Sequence, residues 1–322
     1  MSDLDAAFAR VLDGETTPEE TKAFLLSSVD RMRDPAAIAA GARAMRARMI
    51  RVNAPTGAID VCGTGGDGAH TLNISTAVGF VVAGAGVPVA KHGNRAMSSK
   101  CGAADVLEAL GVKLTGDVPT LERALREANI AFLFAQNHHP AMRHVAAARR
   151  EIGTRTIFNL LGPLSNPAGV RSQLMGVFAP DMARPVAEAL RDLNTERAWV
   201  VHGAGGLDEL ANDNGNIVMV LDDGVIREHA VAFVGAGAQA DGEALKGGTA
   251  AENAAALRAL LDGSSRNETY RQSVELNAAA ALTIAGAAPD LGSAAVLARE
   301  ALDEGLALAA LEKLIAISQT AP

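Results

Sequence analysis

Two stretches between Asp60 and Gly111 carry the residue types that handle phosphate. The first reads Asp60-Val-Cys-Gly-Thr-Gly-Gly-Asp-Gly68 and continues into Thr71-Leu-Asn-Ile-Ser-Thr76. The second reads Lys91-His-Gly-Asn-Arg-Ala-Met-Ser-Ser99. Glycine lets backbone N–H groups approach an anion closely because no Cβ intervenes. A loop that feeds a helix start adds the positive end of the helix dipole. Two such loops facing one cleft point to a ligand with two separate phosphate groups. The first loop is neither the GxGxxG of dinucleotide sites nor the GxxxxGK[ST] of P-loops. Asn73, Ser75 and Thr76 sit where a helix should begin, so they cap it, hold phosphate and metal, or both. In the second loop Lys91 and Arg95 supply charge, Gly93 a tight turn, and Ser98 and Ser99 hydroxyls. His92 reads first as a structural hydrogen-bond donor and second as an acid or base.

Further along, Asp208-Glu209 follows a strand through a glycine-rich turn. Adjacent carboxylates at the sheet end that also carries two phosphate loops suit Mg²⁺, which takes one or two carboxylates plus substrate phosphates. Asp213 reads as surface. Arg149 and Arg150 close a helix, where cations favour the dipole; a guanidinium there is also built to clamp a carboxylate, though local features alone favour the helix-end role. Cys62 has no base beside it and reads as a small buried apolar residue.

These residues need a scaffold. Thr17-Pro18-Glu19-Glu20 and Asp34-Pro35 are helix starts, so residues 1–50 should be a small helical unit with Asn53–Gly57 as its exit. Strands are expected at Ala58–Val61, Val87–Ala90, Ala131–Phe134, Leu174–Phe178, Ala198–His202 and Ile217–Leu221, the earlier ones separated by helices. That alternation implies an α/β fold with a mostly parallel sheet, whose ligands bind beyond the carboxyl ends of the strands. His138–Gly153 should be one helix in an excursion that packs back on the N-terminal helices. The resulting division is a discontinuous helical domain, 1–57 with 138–172, and an α/β domain, 58–137 with 173–322. Three C-terminal helices, over 252–261, 270–284 and 293–306, are expected as outer cover.

Composition limits the function classes. Of 322 residues 49% are apolar but only 3% aromatic, so the core is built of small and aliphatic side chains. A net charge of −8 with no long basic run argues against nucleic-acid or anionic-membrane binding. Two cysteines and a start reading Met-Ser-Asp-Leu-Asp lead us to expect a cytoplasmic protein.

Taken together, GTGGDG at 63–68, NIST at 73–76, KHGNRAMSS at 91–99, ADVLEALG at 104–111, HHPAMRHVAAARREIGTRTIFNLLGPLSNP at 138–167 and HGAGGLDEL at 202–210 closely resemble the anthranilate phosphoribosyltransferase family of tryptophan biosynthesis. The resemblance implies a small helical domain plus a larger α/β domain of nucleoside phosphorylase/phosphoribosyltransferase type, paired as homodimers. It implies that Gly63, Gly66, Asp67, Thr71, Asn73, Ile74, Ser75 and Thr76 hold phosphoribosyl pyrophosphate. The loop Lys91, His92, Gly93, Asn94, Arg95, Ala96, Met97, Ser98 and Ser99 would close over it, with Ala103 beside it. Ser75, Asp208 and Glu209 would ligate Mg²⁺, two ions per subunit. Gly63, Asn94 and Arg149 would contact anthranilate, Arg149 at its carboxylate, with His139 and Gly162 lining the channel. Catalysis would then rest on positioning by Lys91, Asn94 and Arg149 rather than on a dedicated base.

The sequence departs from the family at Leu72, where an aromatic is common, at Ala103, where a serine hydroxyl is lost, at Ser165 and in the loop after Leu210. None removes a charge that the chemistry needs. Two other readings remain: a pyrimidine nucleoside phosphorylase of related fold, and a non-enzymatic nucleic-acid-binding homologue.

Overall fold

The computed structural model describes residues 3–66, 68–96, 100–231 and 242–321. Three helices come first: α1 (Asp3–Leu12), α2 (Pro18–Ser27) and α3 (Pro35–Arg46). Their starts are as the sequence dictates. Thr17 and Glu20 form a reciprocal capping box, and the Asp34 carboxylate accepts from the Ala36 N–H. Then follow β1 (Ile59–Gly63), α4 (Ile74–Gly84), β2 (Val89–Gly93), α5 (Ala103–Ala109), α6 (Val118–Glu127) and β3 (Ile130–Phe134). The excursion comprises α7 (Ala135–His138), α8 (Arg143–Ile152) and α9 (Phe158–Leu161). The chain re-enters the sheet as β4 (Ser172–Gly176), α10 (Ala183–Asp192), β5 (Arg197–His202), β6 (Ile217–Asp222) and β7 (Val225–Glu228). It ends with α11 (Ala250–Leu261), α12 (Glu268–Ala285), α13 (Leu291–Asp303) and α14 (Leu306–Ser318).

The seven strands lie in the order β3-β2-β1-β4-β5-β6-β7. β1 to β5 pair in parallel, whereas β6 and β7 are antiparallel additions at one edge. Growth proceeds from β1 to β3 on one side and resumes at β4 on the other, so the order reverses between β1 and β4. Open α/β sheets bind ligands outside the carboxyl ends of the strands at such a switch point. The register sets Gly63 of β1 opposite Gly176 of β4 at that end.

Alternate residues of β4, β5 and β6 feed two cores, as the two-residue period of a strand requires. Leu174, Trp199, Val201 and Val218 join α4 to α6 and α11 to α14 on one face. Met175, Val200, Met219 and Leu221 join α1, α3, α8, α9 and α10 on the other. The N-terminal helices and the excursion therefore share a core, and that core extends to α10 and the sheet.

Three expectations change. The helix foreseen over 138–153 is broken at His139-Pro140, because proline lacks the N–H that would continue it; α8 begins only at Arg143. β2 runs on to Gly93, so Lys91 and His92 are strand residues. Above all, α12 is not outer cover. Tyr270, Val274 and the run Ala278–Leu282 are at most 1% exposed, and the helix packs on α4, α13, β4 and β5. Its C-terminal half, around Ala278–Leu282, is apolar on all sides, as a buried helix segment should be.

Candidate active site

β1 and β4 end in glycines because another segment crosses directly above them. A Cβ on Gly63 would stand 2.2 Å from Asp208 Oδ2, and one on Gly176 1.4 Å from the Asp208 carbonyl oxygen. The loop after β5 thus folds down over the switch point and lays Asp208 on it. There the carboxylate accepts from the Gly65 N–H at 2.8 Å, tying the glycine loop to the carboxylate loop. Thr64 fastens the glycine loop to the continuation of β4: its N–H donates to Gly176 O at 3.0 Å, and its Oγ1 accepts from the Phe178 N–H at 3.0 Å.

Beneath this crossing lies a cavity lined by Val61, Cys62, Ser75, Leu174, Gly176, Val201, Asp208, Glu209 and Asn277. It gathers the three residues proposed from sequence for Mg²⁺. Its chemistry fits that ion, because Ser75, Asp208 and Glu209 offer oxygen donors, which Mg²⁺ prefers. Among the described residues, no group of three or more His, Cys, Asp or Glu side chains is arranged to hold a metal by itself.

Asn277, on α12, was not anticipated. Its side chain accepts from the Leu210 N–H and donates to Leu210 O, both at 2.9 Å, and donates to Ser273 O at 2.8 Å. It therefore pins the residue directly after Glu209 to a buried helix. Tyr270, one of the largest fully buried side chains, lies close enough to Glu209 that the carboxylate joins burial in raising its phenol well above the ordinary range. An asparagine directly before the apolar run Ala278–Leu282 was the available signal.

Lys91 is only 3% exposed. Its ammonium points inward, donating to Val61 O at 2.7 Å and to Ser75 Oγ at 3.4 Å. Burial lowers its pKa; Asp60, Cys62, Glu209 and Asp208 oppose that shift. It supports the floor of the cavity rather than projecting from a loop. Asp60 is fully buried, its pKa raised by burial and restrained chiefly by Lys91, and it accepts from the His92 N–H at 3.1 Å. The Cys62 thiol is pushed well up by burial and by Asp60, which suits an inert side chain.

His92 bonds through Nδ1 to Gly162 O at 3.0 Å, and its Nε2 lies 3.2 Å from Nε2 of His139. A carbonyl only accepts, so the His92 proton sits on Nδ1 and His139 donates across the pair. Both imidazoles are held neutral: burial and its histidine neighbours carry His92 well below the usual range, and burial with His138 takes His139 to about 4. The structural reading of His92 accounts for these contacts, and the pair joins β2 to the excursion.

Asn73 begins α4 but makes no side-chain cap; its Oδ1 accepts from Asn253 Nδ2 at 2.9 Å. Thr76 is buried. Thr71 bridges to Lys246. Asn94 Oδ1 accepts from the Arg95 N–H at 2.8 Å. Arg95 is engaged within the protein, paired with Asp105 and Glu108 and set over Phe134. Asp105 also accepts from the Ala96 and Gly102 N–H groups, and Ala103 opens α5 immediately after. Gly66 accepts from Arg155. Asp67, Met97, Ser98 and Ser99 lie outside the described residues.

The structure separates the two arginines of α8. Arg150 is exposed. Arg149 is half-buried, its guanidinium 5.9 Å from the Phe158 ring centroid and its pKa lowered by burial.

An α/β sheet with a glycine loop and paired carboxylates at its switch point suits a phosphate-bearing ligand, and comparison gives the class. A family profile described as "Glycosyl transferase family, a/b domain" matches residues 55–308. The relatives narrow this. A protein of Rhodospirillum rubrum named anthranilate phosphoribosyltransferase is 52% identical over 98% of this chain and 92% of its own. One of the same name from Rhizobium rhizogenes is 53% identical over 97% and 92%. Anthranilate phosphoribosyltransferase from Thermus thermophilus, known from its crystal structure, is 42% identical with a TM-score of 0.91, over 98% of this chain and 95% of that one. The Saccharomyces cerevisiae enzyme, solved in complex with PRPP and Mg, is 25% identical with a TM-score of 0.87, over 99% and 93%. The chain belongs to the anthranilate phosphoribosyltransferase family. Of the readings left by the sequence, the transferase stands. No helix among the described residues is long and apolar enough to cross a membrane.

Proposed function

We propose that this chain transfers the phosphoribosyl group of phosphoribosyl pyrophosphate to the amine of anthranilate, a step of tryptophan biosynthesis. The observation that carries the reading is the laying of Asp208 over Gly63 and Gly176 at the switch point, in a chain of this family. The C1–O bond of the ribose breaks and pyrophosphate leaves with the electron pair. A C1–N bond forms, and the amine proton passes to solvent. Ribose C1 gains oxocarbenium character, as in sugar transfer generally. The amine is neutral at physiological pH and needs positioning more than deprotonation.

Ser75, Asp208 and Glu209 would hold Mg²⁺, two ions per subunit with donor oxygens completing their shells; when bound, the metal supplies charge to the departing pyrophosphate. The glycine loop, Gly63 to Thr76, holds the donor, and Lys91 to Ser99 with Ala103 borders it. Lys91 acts from below through Ser75 and the β1 carbonyl. Arg149 meets the anthranilate carboxylate, with Gly63 and Asn94 at the junction and His139 and Gly162 along the channel. The shared core of the N-terminal helices and the excursion supports a small domain of 1–57 with 138–172 against 58–137 with 173–322. We place the enzyme in the cytoplasm as a homodimer.

The test is incubation with anthranilate, phosphoribosyl pyrophosphate and Mg²⁺. Anthranilate fluorescence should fall, and omitting any component should stop the fall. Persistent anthranilate with all three present rejects the function. Asp208→Asn with Glu209→Gln should abolish Mg²⁺-dependent turnover; survival at ordinary Mg²⁺ rejects the metal assignment.

A further inference from the structure

We propose that Arg155 is a further binding residue for the pyrophosphate end of the donor, reaching the glycine loop from the helical excursion; this rests on the donor reading above. The local chain sends it there. α8 stops at Gly153, whose φ of +66° is a left-handed cap. Beyond that stop the chain turns, and Arg155 comes over the carboxyl end of the sheet. Its guanidinium lies 4.4 Å from the centroid of the Phe178 ring, and its Nη2 donates to Gly66 O. Phe178 is itself tied through its N–H to Thr64 Oγ1. The ring beneath the arginine and the loop beside it are therefore anchored together.

Among the described residues Arg155 has no counter-charge. Arg33, Arg43, Arg48 and Arg95 each pair with a carboxylate; Arg155 makes no such pair among the described residues. One carbonyl uses one of five guanidinium donors and neutralises nothing. What remains is an exposed, flat cation, oriented by a ring and held at the mouth of a loop suited to phosphate. A guanidinium meets phosphate through two parallel N–H donors, and stacking fixes the plane in which they point.

The test compares Arg155→Ala, Arg155→Lys and Arg155→Met. Loss of one charge-assisted contact at an exposed site should raise the donor KM on the order of tenfold, with the anthranilate KM within about twofold. Lysine should recover part of the affinity, and methionine, which keeps bulk over Phe178 without charge, should behave as alanine. Calorimetric titration of inorganic pyrophosphate with Mg²⁺ into wild type and Arg155→Ala should show the same loss of affinity. An unchanged donor KM, an equal rise in both KM values, or a methionine variant equal to wild type overturns the proposal. If wild type turns nothing over, the transferase reading fails by itself, and the titration still decides: weaker pyrophosphate binding by Arg155→Ala sustains the arginine's role, and equal binding rejects it.

Discussion

Gly176→Ala tests whether the crossing above the switch point sets the geometry of the site. The new Cβ would stand 1.4 Å from the Asp208 carbonyl oxygen, whereas ordinary contact begins at 3.4 Å, so backbone must yield by about 2 Å. β4 is held on both sides, by β1 and by β5, so the carboxylate loop moves. It carries Asp208 off the Gly65 N–H and Glu209 away from Ser75. Misplacing a reacting assembly by 1 Å can cost roughly 100-fold, so kcat/KM should fall at least about 100-fold. The half-saturating Mg²⁺ concentration should rise in parallel. Affinity for anthranilate should hold, because Arg149 lies on α8 in the other core. The assay is anthranilate fluorescence at graded Mg²⁺, with Gly242→Ala as control, since a Cβ there meets nothing within 4 Å. Thermal melting confirms that the variant is folded. A folded Gly176→Ala within about threefold of wild type, which is under 1 kcal/mol, refutes the reasoning.

The other predictions concern residues around that crossing. Asn277→Ala leaves the buried Leu210 N–H and C=O without their partners, at about 1–3 kcal/mol each; urea unfolding should show a loss of about 2–6 kcal/mol, and Mg²⁺ half-saturation should rise. Arg149→Ala should raise the anthranilate KM at least about tenfold with little effect on the donor KM, whereas Arg150→Ala should change neither by more than about twofold. The His139 imidazole, at about 4 when folded and 6.5 ordinarily, binds more protons unfolded between those values. Its contribution to stability is therefore full above pH 6.5 and lost as pH falls toward 4, about 3 kcal/mol in all. His139→Gln should flatten that part of the urea-midpoint profile, and a variant profile parallel to wild type rejects the assignment.

The sequence carried the chemistry more legibly than the packing. Gly63, Ser75, Asp208 and Glu209 could be singled out because small or oxygen-bearing residues cluster at strand ends; the fold brings Ser75, Asp208 and Glu209 to one cavity and lays Asp208 over Gly63. Lys91 could not be placed, because a lysine after an apolar run reads alike as a loop cation or as a strand residue. Only the pairing of β2 between β1 and β3 shows it buried. The role of α12 was hidden because its alanines lack the periodicity that marks a buried face. The β6–β7 hairpin did have a signal: Asp223-Gly224 between two β-rich runs, with φ of 43° and 81° in the structure, is a turn that such hairpins favour. What could not be read was that Gly63 and Gly176, far apart in the chain, are glycines for the same reason, because that reason is a third segment.

Charge explains how an acidic chain accommodates a polyanionic substrate. The buried Lys91 ammonium feels Asp60 on one side and Asp208 and Glu209 on the other. One cation among three carboxylates leaves the floor negative, so phosphate would be repelled by these residues alone. A divalent ion held there, as proposed above, would reverse the sign locally, and the carboxylates would then favour the donor. On the proposed reading the rim carries two cations that make no ion pair among the described residues: Arg149, set near the Phe158 ring, and Arg155, beside Gly66. Arg149 lies on α8 and Arg155 just past the turn that ends it, so on the roles proposed above one segment of the excursion would meet both substrates. It follows that Arg149 and Arg155 should be energetically coupled when both substrates are bound. In a double-mutant cycle on kcat/KM, the combined loss should differ from the sum of the single losses by more than about 0.5 kcal/mol; strict additivity would mean that the two arginines act independently.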